Sequence, residues 1–202
     1  AYLRLGPLGE PPRTYILMAM APSGGCEEKG SISDPEGPLP FVEIQGVFRD
    51  IGVPVPEIYG LDRQNCLMLL EDLGDVTLAD HLAVEGLEGA LPLYEQACQI
   101  LAKLQVKGGA PEGVIALRDF DQGLFRWEFD HYIEFALEAE FGAIDSSDRS
   151  SVEAQLESLS QELGALPKVI VHRDYHSRNL MVHEGEIQLI DFQDALMGPG
   201  VY

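Results

Sequence analysis

Basic residues are scarce: 13 Lys and Arg stand against 34 Asp and Glu, a formal charge of -21 over 202 residues. Such a surface repels phosphate backbones and anionic headgroups, which argues against nucleic acid and membrane as partners. A nucleotide ligand would then depend on a metal ion and a few local cations. Long apolar runs are also missing. Stretches such as Tyr15 to Ala21 and Cys66 to Leu70 fall far short of the roughly 20 residues that a spanning helix needs, and no secretory signal opens the chain. The three cysteines, Cys26, Cys66 and Cys98, lie far apart with no Cys-x-x-Cys pair. That spacing favours free or buried thiols in a reducing cytoplasm over a zinc site or disulfide. An initiator methionine is absent as well: Ala1 leads directly into what reads as a strand (Tyr2, Leu3, Leu5), so a trimmed or partial chain is expected.

The chain is long enough to bury a sizeable core, as one large domain or as two small lobes around a cleft. Tyr2 to Leu5 and Thr14 to Met20 read as strands joined by a Gly- and Pro-rich hairpin connection, in which Gly6 and Gly9 serve as turn glycines. Ser23 to Pro40 lacks apolar periodicity and reads as an irregular or mobile loop. From Phe41 the residues Ile44, Val47, Phe48 and Ile51 recur at helical spacing, and the pattern stops at Gly52 before Val53-Pro54-Val55-Pro56. Ile58 to Leu61 and Cys66 to Leu70 form a strand pair across Asp62 to Asn65, and Glu71 to Asp75 is a polar break that suits a hinge. Beyond it the pattern turns helical. Thr77-x-x-Asp80 is a cap-like start, and Ala97, Ile100, Leu101 and Leu104 share one face. Phe125, Phe129, Tyr132, Ile133, Ala136 and Leu137 form a second stripe. Val152, Leu156, Leu159 and Leu163 form a third, behind a Ser150-x-x-Glu153 capping box.

The chemistry is concentrated between two short strands. Lys168 to Val171 and Ile187 to Ile190 are β-prone, so the polar residues His172-Arg173-Asp174-Tyr175-His176-Ser177-Arg178-Asn179 and Asp191-Phe192 emerge at strand ends. Phosphoryl transfer needs a carboxylate beside the acceptor hydroxyl and hard oxygen ligands for a magnesium ion on the phosphates. His-Arg-Asp with Asn five residues after the Asp, then an apolar strand ending in Asp-Phe, supplies both. This pattern resembles the catalytic and metal loops of protein-kinase-like enzymes, and His176 after Asp174 resembles their aminoglycoside phosphotransferase and choline kinase-like branch. The words Val171 to Met181, Leu189 to Ala195 and Gly198-Pro199 resemble most closely the anomeric kinases of N-acetylmuramate and N-acetylglucosamine, enzymes of cell-wall recycling. Pro40-Phe41-Val42, Gly52 to Pro56 and Leu69 to Gly74 add to the resemblance.

The resemblance implies an α+β, protein-kinase-like two-lobed fold with a small β-rich N-lobe (1–73) and a mainly helical C-lobe (74–202). The first strand and glycine-rich loop, and the C-terminal helices, are expected to be missing. It implies ATP and Mg2+ as cofactors, a sugar acceptor, and a cytoplasmic phosphotransferase acting on an alcohol group. Asp174 is then the catalytic base with Arg178 beside it, and Asn179 and Asp191 are the metal ligands. Nucleotide contacts fall to Met18, Glu43 and the hinge residues Glu71, Asp72 and Leu73. Acceptor contacts fall to His176 and Arg178; Trp127 and Glu128, on the polar side of an otherwise apolar helix, suit either a sugar face or surface packing. One departure from the family pattern is Met18, which stands on its strand where a phosphate-binding Lys or Arg is expected; Lys29 or Arg49 could supply the charge instead. His172 reads as a structural residue that holds its loop, and Asp194 is open between a metal or substrate contact and a helix cap. The alternatives are an aminoglycoside or other small-molecule kinase of the same fold, and a non-catalytic pseudokinase binding module.

Overall fold

The computed structural model describes residues 1–8, 13–20, 37, 39–109 and 111–202. The loop expected over residues 23–40, with Lys29 and Cys26, lies almost wholly outside the described residues, as do Gly9 and the rest of the first hairpin turn.

The chain opens with two antiparallel strands, β1 (Tyr2–Leu8) and β2 (Arg13–Ala19). Helix α1 (Pro40–Asp50) follows, then a second strand pair, β3 (Ile58–Asp62) and β4 (Leu67–Glu71). The strands form one sheet in the order β1-β2-β4-β3. Its inner face carries Ile16, Met18, Met68 and Leu70, packed against Phe41 and Val42 of α1. Helix α1 begins with Pro40 in its first turn, where a missing N–H costs nothing. It buries Ile44 and Phe48 completely and stops where Gly52 takes a φ of 77°, a left-handed turn that a side chain resists. Gly6 is not part of the hairpin turn. Strand β1 continues through it to Leu8, with a register shift between Leu5 and Leu8, so the glycine sits where the ladder is irregular.

Past Glu71 the polypeptide becomes helical. Helix α2 (Leu78–Lys107) is capped by the reciprocal Thr77–Asp80 box and broken at Gly86, whose φ of 71° is not helical. It sends Leu93, Ala97, Ile100 and Leu104 into the main core. At its end Gly108 lies so close to Leu104 and Ile170 that a Cβ there would stand 2.5 Å from the Leu104 carbonyl oxygen. Helix α3 (Gln122–Tyr132) runs into a π-helical turn (Ile133–Glu138) and the short α4 (Ala139–Phe141). Of the second apolar stripe Phe125 and Ile133 are buried and Phe129 and Leu137 half-buried, while Tyr132 and, inside the π turn, Ala136 are exposed. Helix α5 (Ser146–Gly164) starts one turn earlier than the Ser150 capping box implies. Asp145 takes the cap by accepting from the N–H groups of Ser147 and Asp148, and the Ser150 hydroxyl donates to the Ser146 carbonyl instead. Asp145 is the better cap because its side chain satisfies two free N–H groups at once.

The chemistry-bearing segment is built from four short strands, two of which the sequence did not announce. Strand β5 (Lys168–Val171) pairs with β8 (Leu196–Pro199), and β6 (Leu180–His183) pairs with β7 (Glu186–Leu189). No described helix is long and apolar enough to cross a membrane. Cys66 and Cys98 are free thiols.

Candidate active site

The loop between β5 and β6 is held from three directions. His172 is buried, and its Nε2–H donates to the Ile190 carbonyl at 3.0 Å. Burial pushes the imidazole below its ordinary pKa, so it is neutral, and that bond fixes the proton on Nε2. The Tyr175 hydroxyl donates to the Ala97 carbonyl of α2 at 2.6 Å. The Arg173 guanidinium reaches Glu128 of α3 at 3.3 Å. With those anchors in place Arg173 takes a φ of 76°. A non-glycine residue there stores strain of about 1–3 kcal/mol, and such strain collects at functional sites. The outcome is that Asp174 stands exposed at the loop tip.

Asn179, just before β6, and Asp191, just after β7, are brought together at the open end of the antiparallel β6–β7 ribbon, where Leu180 pairs with Leu189. The Asn179 amide donates to the Asp174 carbonyl at 3.1 Å and approaches Asp191 Oδ2 at 3.5 Å. Asp191 also has a positive φ, 62°. Its neighbour Phe192 is fully buried and packs at a tilt against Phe41 and Phe48 of α1, at 4.7 and 5.6 Å between ring centres. Burying a ring of that size stabilises by about 1.5–3 kcal/mol, enough to hold the adjacent carboxylate in its strained position. Gln193 then orients Asp191 by donating from Nε2 to Oδ1 at 2.8 Å, and Arg118 fixes the Gln193 carbonyl at 2.7 Å.

These groups open on a cavity of about 400 Å³ between the sheet and the β6–β7 ribbon. Its lining joins Asn179 and Asp191 to Glu71, Asp72 and Leu73 at the exit of β4, with Ile16 and Leu70 as an apolar wall. The segment after Leu73 ties the two sides together: the Val182 N–H donates to the Val76 carbonyl at 2.8 Å and the Ala79 N–H to the Ser177 carbonyl at 3.1 Å. Arg4 of β1 clamps the same corner through Asp72 at 2.7 Å and Asp75 at 2.8 Å. Burial would raise the Asp72 carboxyl, but Arg4 and the Gly74 N–H outweigh it and hold it low; Asp75 is held low chiefly by Arg4.

The other expected site residues fall elsewhere. Met18 does not line the cavity; it pairs with Met68 across the β2–β4 ladder and is covered by α1 in the apolar cluster. Glu43 does not line it either: its carboxylate accepts from the Val114 N–H at 3.0 Å, tying α1 to the loop after α2. Arg49 pairs with Glu57 at 3.0 Å, away from the lining. His176 is exposed beside Asp174, to whose carbonyl its N–H donates at 3.0 Å. Arg178 is also exposed, and its charge reaches Asp80 at the start of α2, helping the Thr77 hydrogen bonds to lower that carboxyl. Trp127 is 41% exposed and packs on His131 at 4.0 Å between ring centres, while Glu128 is engaged by Arg173. Sequence reading missed Arg4, Tyr2 and Gln193. Only Gln193, two residues from Asp191, carried a local signal.

The donor set suits a magnesium ion. Asn179 spends its amide N–H groups on Asp174 and Asp191, which leaves its carbonyl oxygen to coordinate, and each Asp191 oxygen accepts one hydrogen bond, from Gln193 or Asn179, and keeps a lone pair for a metal. Magnesium is a hard ion that takes one or two protein oxygens and completes its shell from phosphates and water. Among the described residues no group of three or more His, Cys, Asp or Glu side chains could hold a metal by itself.

A β-sheet lobe, a helical lobe and a cleft with paired Asn and Asp oxygens define the kinase-like class of folds. Solved structures agree: the chain superposes on choline kinase LicA from Streptococcus pneumoniae with a TM-score of 0.57 at 16% identity, covering 93% of this chain and 59% of that one. It superposes on aminoglycoside phosphotransferase APH(4)-Ia with a TM-score of 0.58 at 16% identity, covering 99% and 68%. The chain belongs to the APH phosphotransferase enzyme family, which its residues 9–202 match. Among curated relatives it is 32% identical over 167 residues to an N-acetylmuramate/N-acetylglucosamine kinase of Pseudomonas aeruginosa, and 32% identical over 165 residues to one of Neisseria meningitidis. Each match covers 81% of this chain but only 46% and 48% of the relative, so the chain spans about half the length of the curated relatives it matches.

Proposed function

We propose that this chain carries the phosphoryl-transfer centre of an ATP-dependent kinase that phosphorylates the anomeric hydroxyl of N-acetylmuramate or N-acetylglucosamine. The observation that carries the reading is the single cavity lined by Glu71, Asp72 and Leu73 on one side and Asn179 and Asp191 on the other. The adenine lies against the backbone at residues 71–73, at the boundary between an N-lobe (1–73) and a C-lobe (74–202), and the phosphates run toward Asp191. Met18 and Glu43 act on the nucleotide indirectly, Met18 by filling the sheet behind it and Glu43 by fixing α1.

Asp174 orients the acceptor hydroxyl and takes its proton as the new oxygen–phosphorus bond forms and the bond to the ADP oxygen breaks. Asn179 and Asp191 hold Mg2+, which when bound neutralises charge on the phosphate oxygens. His176 and Arg178, on the exposed side of the same loop, meet the acceptor, and Trp127 and Glu128 border it. The sugar class comes from the relatives, four of which bear the same kinase name. In this reading the product feeds cell-wall sugar recycling in the cytoplasm.

The test is an acceptor panel with Mg·ATP, scored by ADP release and phosphorus NMR of the product. N-acetylmuramate or N-acetylglucosamine should give an acid-labile anomeric phosphate. An acid-stable ester, or turnover only with an aminoglycoside or choline, would overturn the assignment.

A further inference from the structure

We propose that the Tyr2 hydroxyl donates a hydrogen bond to the phosphate chain of the nucleotide, from a strand face that offers no free cation among its described residues. This rests on the nucleotide reading of the cleft. Tyr2 and Arg4 are two residues apart on β1, so their side chains share a face, and both line the cavity. They stand at different points along the ladder. Arg4 lies at the hinge end, bound to both Asp72 and Asp75 and to the Gly74 carbonyl. Tyr2 lies two residues farther from the hinge, directly across the ladder from Met18. Tyr2 and Asp191 line the same cavity, so the phenol faces the space that the phosphates and their metal would fill.

The side-chain donors lining the cavity, among the described residues, are Arg4, Asn179 and Tyr2. The guanidinium of Arg4 is committed to the hinge carboxylates, and the amide of Asn179 to Asp174 and Asp191. Tyr2 is 65% exposed, so its hydroxyl can turn toward an incoming ligand without opening the core. A polyphosphate entering a cleft lined by Glu71, Asp72, Asp75 and Asp191 needs donors besides its metal, and a phenol supplies one without a positive charge. Met18 opposite is apolar and covered, so the cross-strand partner cannot take that role.

The experiment compares Mg·ATP and adenosine binding by titration calorimetry, adenosine by competition, in the wild-type protein and in Tyr2→Phe. The Phe ring keeps the packing, and an unchanged melting temperature verifies the fold. A hydrogen bond to a charged acceptor predicts about a tenfold or greater loss of Mg·ATP affinity, with adenosine unchanged. Unchanged Mg·ATP affinity in Tyr2→Phe, or an equal loss for both ligands, would overturn the inference alone. A wild-type protein that binds neither ligand would overturn the nucleotide reading itself and the inference with it.

Discussion

Asp174→Asn is expected to lower kcat by about two to four orders of magnitude, the usual contribution of a positioned general base, while Mg·ATP affinity stays at its wild-type value. The substitution keeps size and shape and removes only the ability to accept a proton. Asp174 is exposed, so no core packing is lost. The contact it makes with Asn179 is through its backbone carbonyl, which the variant retains, so the metal ligands should not move. Steady-state kinetics alongside nucleotide titration separates the two effects. Turnover close to wild type would remove Asp174 from the mechanism.

Asp191→Asn should act on the other half of the chemistry. Mg·ATP affinity is expected to fall by at least about 10- to 100-fold, the loss seen when even the outer partners of a metal site are removed, and affinity for ATP without metal should be unchanged. The backbone should tolerate the exchange. Asp191 has a φ of 62°, and Asn is among the non-glycine residues most at ease there. Gln193 can still donate to the remaining carbonyl oxygen. A melting temperature equal to wild type, with the metal-dependent part of binding gone, is the signature to look for. Equal loss of ATP affinity with and without metal would assign Asp191 a structural role instead.

The parts of the site that could be read in the sequence are those whose partners are close along the chain. Asp174, Asn179 and Asp191 lie within one strand-loop-strand-strand unit, so their spacing carries their geometry. The same holds for the Thr77–Asp80 capping box and for α1, whose apolar residues recur every three or four positions. What stayed hidden depends on long-range pairing. Arg4 meets Asp72 and Asp75 across 68 and 71 residues, Glu43 meets Val114 across 71, and Arg118 meets Gln193 across 75; no local pattern encodes such meetings. Glu43 shows the consequence: an acid on the inner face of α1 suggests a cation partner, but the chain delivers a backbone N–H. Competition between adjacent signals hid the rest. Asp145 and Ser150 are both capping residues, and only the packed helix shows that the earlier one wins. The π turn at Ile133–Glu138 leaves no mark in an apolar stripe that assumes regular helix.

Met18 is the residue on which the enzyme and pseudokinase readings divide. Its burial behind the cavity explains why a cation is absent at that position: α1 seals the site with Phe41 and Val42, and a charge there would be desolvated without a partner. In the proposed enzyme reading the phosphate-facing role would pass to other groups: Asn179 and Asp191 through the metal, and the proposed Tyr2 contact.

The most direct test of the account is a crystal structure with Mn2+ and a non-hydrolysable ATP analogue, read by anomalous scattering from the metal. The account predicts a metal peak bonded to oxygens of both Asn179 and Asp191, with the γ-phosphate facing Asp174 and the adenine against residues 71–73. A metal bound elsewhere, or a nucleotide outside the cavity, would contradict it.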